Sequence, residues 1–413
     1  MNRRNWMAAS MFGMSAAKVE RKPLPDPKLR ETDPEKYWLR IRKEQFLLPD
    51  WRAFLNNGSL GVAPIPVLAA VEEFLEQAAA LTSDEYPRWG YETLDPERTE
   101  MAEFLGCKKE ELALTHCATE GISTVAMGLD LKAGDEVVMT DREHVSGQSP
   151  WRLREQRHGI TVRVVKTPHP PKSSAELADL MIGAIGPKTR VLSFSGIISP
   201  TGTIMPVKEI CAAARAKGVL TFIDGAHMNG QIPLKLSDLG CDFYAGSPHK
   251  WMFAPAGCGI LYIREENLDR LWPSIVTGGW DDKTIGAARF MKLGTNNKAT
   301  VVGMIAGLRF LKSLGPDNIY ARIHDMAKRN YAMAAKRPHL QLLSSPDDRL
   351  YGALVTIGFK GANVDNLWKI ARQRKIWVYG GAELRLSTHI HTRMSDLDAF
   401  YSLVDEVMLG KKS

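Results

Sequence analysis

The stretch RVLSFSGIISPTGTIMPVKEICAAARAKGVLTFIDGAH, residues 190–227, carries a complete strand–helix–strand unit. Its flanks, RVLSFS (190–195) and VLTFI (219–223), are short β-branched and aromatic runs without clean polar alternation, as in strands covered on both faces. Between them VKEICAAARAK (207–217) is amphipathic at helical spacing, and Gly218 closes it. A helix joining two such strands is the crossover of a parallel pair. Working outward, EVVMT (136–140), TVRVV (161–165), DFYAG (242–246) and GILYI (259–263) read as further strands. Ser173 and Glu176 make a capping box before AELADLMIGAI, which Gly186-Pro187 ends. The expected fold class is α/β: a large domain with a mostly parallel central sheet and helices on both faces. Ligands of such sheets sit beyond the carboxyl ends of the strands.

The texture changes after about Thr300. Two apolar-faced helices, VVGMIAGLRFLKSLG (301–315) and NIYARIHDMAKRNYAMAAKR (318–337), precede strand-like ALVTIGF (353–359). Helix NVDNLWKIARQR and strand-like IWVYG and ELRLST follow. These make a smaller α+β C-terminal domain, giving an expected division into a large domain over 51–298 and a small one over 299–413. Helix-like EKYWLRIRKEQFLL falls in a segment, 19–50, expected to pack on the small domain. Residues 1–18, with Arg3-Arg4 ahead of a short apolar stretch, resemble a twin-arginine export signal, which would send the chain to the periplasm; the alternative is a frayed cytoplasmic N-terminus. No run of 18 apolar residues offers a membrane span.

Of the 413 residues, 44% are hydrophobic and 24% charged, the balance of an ordinary globular chain. A formal charge of +7, without zinc-finger spacing or basic–aromatic interleaving, argues against nucleic acid and fits scattered solvated lysines together with a site for anionic small molecules. The five cysteines, odd in number and irregularly spaced, read as free thiols, neither disulfides nor a metal site.

Three polar clusters fall at strand ends. In AGSPHKWMFAPAGCGILYI (245–263), Lys250 follows a buried-looking strand inside apolar sequence. A lysine there is costly unless used, and an amine stripped of water attacks an aldehyde readily. Asp224 heads DGAH directly after VLTFI, where a carboxylate pairs with a protonated ring nitrogen. Ala118-Thr119-Glu120-Gly121 opens a helix whose free amides suit a phosphate. Singly, each has a plainer reading, Lys250 as a surface loop lysine, Asp224-Gly225 as a turn and 118–121 as a capped helix; together they fit pyridoxal 5′-phosphate.

With those residues stand NNGSLG (56–61), EH…PW (143–151), SPTG (199–202), GSPHKW (246–251), GTNN (294–297) and RLS (385–387), all in order. The chain from about Phe54 to Leu403 resembles the class V aminotransferase superfamily of fold-type I pyridoxal-phosphate enzymes, in its isopenicillin-N-epimerase-like and cysteine-desulfurase-like branches. The resemblance implies the following roles. Lys250 is the Schiff-base lysine, Asp224 the partner of the pyridine nitrogen, and His144 the histidine over the ring face. Ala118, Thr119, Ser247 and His249 hold the phosphate, with Thr295 reaching in from a second subunit of a homodimer whose active sites lie at the interface. Ser199 and His227 face the phenolic oxygen. Arg385 clamps the substrate carboxylate, with Asn57 near the same pocket, and Trp89 and Tyr91 line its mouth. Plainer roles stay open: Thr295 as a helix cap, His144 as a loop histidine, Arg385 on a strand surface, Asn57 as a turn former, and Trp89 and Tyr91 in core or dimer packing.

Two departures from the family pattern matter. Ser199 stands where many relatives carry asparagine, and no cysteine occurs after Cys258, where a desulfurase would place its thiol shortly before Arg385. The expected reaction is class V aminotransferase chemistry on an amino-acid-like substrate. The alternatives are epimerisation of an amino acid or peptide, C–S or C–N lysis, and a binding scaffold without turnover.

Overall fold

The computed structural model describes residues 21–81, 91–360, 366–381 and 383–410. Arg3, Arg4 and Trp89 lie outside the described residues.

Seven strands build the main sheet: β1 (Leu112–Thr115), β2 (Glu136–Thr140), β3 (Thr161–Val165), β4 (Thr189–Ser195), β5 (Leu220–Asp224), β6 (Phe243–Gly246) and β7 (Gly259–Ile263). Their order is β1-β7-β6-β5-β4-β2-β3. All run parallel except β7, which is antiparallel to both of its neighbours. Strands β1, β6 and β7 are buried at every residue, which is why their sequences do not alternate. Each crossover follows from local sequence. Helix α1 (Val207–Ala216) turns one apolar face, Val207, Ile210, Cys211 and Ala214, to the sheet. Gly218, at φ 68°, then reverses the chain into β5 in a conformation other residues avoid. The Ser173 cap forms only in half: its hydroxyl accepts from the Glu176 amide, but the Glu176 carboxylate turns to the Lys172 amide.

A second, antiparallel sheet has the order β10-β11-β9-β8, from β8 (Leu340–Leu342), β9 (Leu354–Phe359), β10 (Tyr379–Gly380) and β11 (Leu384–Ser387). Its apolar face, with Ile357, Leu384 and Leu386, packs under Leu397, Phe400 and Val404 of the C-terminal helix Met394–Leu409. Residues on both sides of the expected domain limits interdigitate. Ala53 and Leu55 belong to this second core, whereas Val301, Met304, Ile305 and Leu308 of helix Ala299–Leu314 belong to the first.

The helix Pro34–Gln45 touches both parts. Phe46, just beyond it, packs on Phe253 and Phe310, each such buried ring being worth about 1.5–3 kcal/mol. Glu35 takes both guanidinium nitrogens of Arg322, at 2.6 and 3.0 Å, and Arg42 donates to the His391 carbonyl at 2.7 Å. No helix among the described residues is long and apolar enough to cross a membrane.

Candidate active site

Five of the parallel strands of the main sheet end at one cavity of about 200 Å³. Its wall takes Cys117 and Thr119 after β1, His144 and Ser146 after β2, Ser195 to Ser199 at the end of β4, Asp224 to His227 at the end of β5, and Ser247 to Lys250 after β6. This is the position that parallel sheet topology dictates. Lys250 and Asp224, far apart in the chain, share that wall.

Lys250 lies in the single turn Pro248–Trp251 and is held through its backbone. Its carbonyl accepts from Asn57 Nδ2 at 2.7 Å, and the neighbouring His249 carbonyl accepts from the Gly61 amide at 2.9 Å. A Cβ at Gly61 would sit 2.2 Å from the Lys250 oxygen, so only glycine lets the 56–61 turn lie this close. The amine is drawn down to about 8, chiefly by burial, against the opposing pull of the Asp224 carboxylate. Its Nζ stands 3.2 Å from His227 Nε2. His227 Nδ1 accepts from the Trp251 indole at 3.3 Å, and burial keeps the ring neutral, so its one proton is on Nε2. Once the amine loses its proton, at about pH 8 and above, that N–H can donate to the Lys250 lone pair, the state in which an amine is a nucleophile.

Asp224 ends β5 with its main chain paired to both neighbouring strands, and its Oδ1 accepts from the Ala226 amide at 3.0 Å. Burial raises its pKa, while Lys250 and His144 pull it back. Behind it lies a second buried acid. Glu143 is hydrogen bonded by the hydroxyls of Thr140 and Ser195, yet burial, helped by the charge of Asp224, pushes it up to about 7. Its folded pKa thus exceeds the ordinary value of 4.5, so the folded state binds the proton more tightly than the unfolded chain. This stabilisation is complete below that ordinary value and disappears as pH rises through 7. Between about pH 5 and about pH 8 the cofactor-free protein should lose about 2–3 kcal/mol relative to Glu143→Gln. Denaturation midpoints of the two proteins followed across that range check this; curves that stay parallel refute it.

At the other end, Ala118 opens the helix Ala118–Gly128 and gives its amide to Ser247 Oγ at 3.1 Å. Gly121 on this helix faces β6, where a Cβ would meet the Ala245 methyl at 2.8 Å, so the helix start is pressed against the lysine strand. Thr119 borders the cavity in the first turn, and His249 borders it with Nδ1 at 2.8 Å from the Cys258 carbonyl. His144 caps its helix by accepting from the Ser146 amide at 3.2 Å, and burial with the Lys250 charge lowers its pKa. Its side chain reaches solvent as well as the cavity.

Arg385 is 3% exposed on β11, so it is no surface strand residue. Nη1 donates to the Ser199 carbonyl and hydroxyl at 2.9 Å each, and Nη2 to Ser59 Oγ at 3.2 Å. The Tyr379 ring lies 4.4 Å from the guanidinium carbon, and the buried Nε has no partner. Ser199, accepting from the arginine, keeps its own hydroxyl proton for the cavity.

Other expected residues lie apart. Asn57 is buried with both side-chain ends committed, Nδ2 to Lys250 and Oδ1 to His391 at 3.2 Å, and does not line the cavity. Thr295 is exposed in the turn before helix Ala299–Leu314, whose cap is Lys298. Tyr91 is exposed next to that turn: a Cβ on Gly294 would lie 3.7 Å from its hydroxyl. Ser59, Glu143, Ser195 and Tyr379 were not singled out from sequence, although Ser59 and Glu143 sit inside motifs that were. Among the described residues no group of three or more His, Cys, Asp or Glu side chains is placed to hold a metal.

These residues fit pyridoxal 5′-phosphate. A buried amine with a lowered pKa, a buried carboxylate and a helix start with a seryl hydroxyl border one cavity, and each matches a different edge of that molecule.

A family model described as aminotransferase class-V matches residues 54–400. The isopenicillin N epimerase of Streptomyces clavuligerus is 31% identical over 377 residues, covering 85% of this chain and 94% of that protein. A cysteine desulfurase from an Enterobacter species is 30% identical over 321 residues, 73% of this chain and 75% of its own. Among solved structures, a cystine C–S lyase in complex with its product cysteine persulfide superposes with a TM-score of 0.76 at 25% identity, covering 86% of this chain and 97% of that one.

Proposed function

As a pyridoxal-phosphate enzyme belonging to the class V aminotransferase family, in the branch of isopenicillin N epimerases and cysteine desulfurases, the chain is one for which we propose inversion at Cα of an amino-acid-like substrate. The observation that carries this reading is a pair of nitrogen acid–bases bordering one cavity: the buried amine of Lys250 and the solvent-reaching imidazole of His144. Inversion needs one group to take the α-proton and another to return a proton from the opposite side. A neutral amine near pH 8 does the first. A neutral imidazole whose Nδ1 is committed to a backbone amide carries its proton on Nε2 and does the second.

Pyridoxal phosphate, when bound, supplies a ring that takes up the electron pair left as the α-proton departs. The chain does the rest. Asp224 keeps a proton on the ring nitrogen, and the Nε2–H of His227 donates to the phenolic oxygen. Ser199 offers its hydroxyl proton to the same oxygen. Thr119, Ser247, His249 and the helix start at Ala118 take the phosphate. Arg385, whose two prongs now donate to Ser199 and Ser59, would exchange those contacts for the substrate carboxylate, which a planar guanidinium can grip at two points and a lysine cannot.

Transamination, the first expectation from sequence, gives way because the similar proteins reported above bear epimerase, desulfurase and lyase names. A desulfurase that carries the persulfide on its own thiol is disfavoured: among the described lining residues the thiol is Cys117, at the start of the phosphate helix and remote in sequence from the segment before Arg385. Cleavage of a C–S bond without a protein thiol is the second reading, favoured by the solved cystine lyase. The chain is further proposed to form a homodimer, in which the exposed Thr295 and Tyr91 turn toward the partner's cavity. Its address stays open between cytoplasm and, through Arg3-Arg4, the periplasm.

Incubating the holoenzyme with a panel of amino acids in deuterated water tests the proposal. α-Deuteration with loss of optical purity and unchanged connectivity is the expected result. Release of a keto acid without racemised product would replace inversion by transamination or lysis, and no reaction with any amino acid would leave only a binding role.

A further inference from the structure

A second cavity, of about 710 Å³, opens beside the first and is lined among others by Asn56, Arg142, Trp368, Arg372, Tyr379 and Glu383. The two adjoin through specific contacts. Ser59, on the first wall, donates to Asn56 Oδ1 at 2.8 Å on the second. Tyr379 belongs to the second wall and covers Arg385, its cross-strand partner. Glu383 precedes Arg385 by two residues, placing it on the same side of the sheet about 7 Å away. Arg142, two residues before His144, reaches Glu383 with a nitrogen–oxygen distance of 3.7 Å. Arg372 adds a second cation, near enough to Arg52 to lower that residue's pKa after burial has done so. Two arginines, two aromatic rings and one carboxylate therefore line one open groove beside Arg385.

We infer that this groove is a subsite for a second carboxylate, so that the substrate is an α-amino acid whose side arm ends in an anion. The inference deepens the proposed function and rests on Arg385 receiving the α-carboxylate. The spacing of Arg385 from the Arg142–Glu383 pair asks for a side arm of roughly four or more atoms. Trp368 and Tyr379 provide apolar walls for its methylenes. Glu383 holds Arg142 in place, and the incoming carboxylate competes with it for the guanidinium.

The test uses holoenzyme and a series of α-amino dicarboxylic acids with one to six side-chain methylenes, each paired with its ω-amide. Two readouts are taken, α-deuterium exchange and calorimetric binding. The acids should be preferred over the amides by about tenfold or more, and most at the longer lengths. Arg142→Gln with Arg372→Gln should shrink that ratio to about twofold, while Glu383→Gln should enlarge it, a reversal that simple damage to the fold would not produce. A ratio near one in the native enzyme, or one that neither variant moves, overturns the subsite. If no acid exchanges its α-proton yet the long dicarboxylates bind with this arginine dependence, the inversion chemistry falls and the subsite stands; absence of both exchange and binding removes the two together.

Discussion

Lys250→Ala should give a folded protein that retains no cofactor mass after borohydride reduction and exchanges the substrate α-proton about 10³–10⁴-fold more slowly. Native protein treated in the same way should keep that mass on the intact chain. The expectation follows from the wall of the cavity, where Lys250 is the one primary amine among the described lining residues. Burial has already brought that amine down to about 8, and the Nε2–H of His227 is aimed at its lone pair. No neighbour can substitute: His227 is neutral and fixed by Trp251, while Arg385 does not give up a proton at usable pH. The fold should tolerate the change because the turn is held by backbone contacts from Asn57 and Gly61, which alanine keeps. Retention of cofactor mass by the variant, read by intact-protein mass spectrometry, would move the attachment point elsewhere.

Asp224→Asn should separate attachment from turnover. The amide oxygen of asparagine can still accept from the Ala226 amide, so the end of β5 keeps its shape. The group is buried and its pKa already raised, so a neutral replacement removes a charge the fold does not favour there, and the melting temperature should not fall. What is lost is the negative charge that keeps a proton on the ring nitrogen. The variant should therefore retain cofactor mass after reduction yet exchange the α-proton about 10²–10³-fold more slowly. Undiminished exchange in Asp224→Asn would mean that this carboxylate does not face the ring nitrogen.

Residues at strand ends were legible because their signals are local. A polar group directly after an apolar run, as at Asp224 or Lys250, announces the carboxyl end of a strand whatever the rest of the chain does. Residues whose meaning depends on distant partners were not. Glu143 looks like any loop acid until Thr140 and Ser195 close around it, and Asn57 reads as a turn former until its amide meets Lys250 and His391. Strand direction was equally hidden. GILYI has the composition of its parallel neighbours, and only the short return from Lys250 makes β7 run the other way. LALT, as β1, is four residues long and shows no pattern by itself. IWVYG, one run in sequence, splits between two sheets: Ile376–Trp377 pairs with Ala53–Phe54, and Tyr379–Gly380 with β11.

The clasp of Asn57 between the Lys250 carbonyl and His391 orders events in time as well as space. A nascent polypeptide leaving the ribosome presents Asp224 and Lys250 long before Arg385 and His391 have been added. Until those last residues thread back beside the 56–61 turn, the lysine turn lacks half of its brace and the Arg385 guanidinium is not yet set against Ser59 and Ser199. Pocket assembly is thus a late step of biosynthesis, and a prematurely terminated chain carries the reactive amine without the frame that directs it.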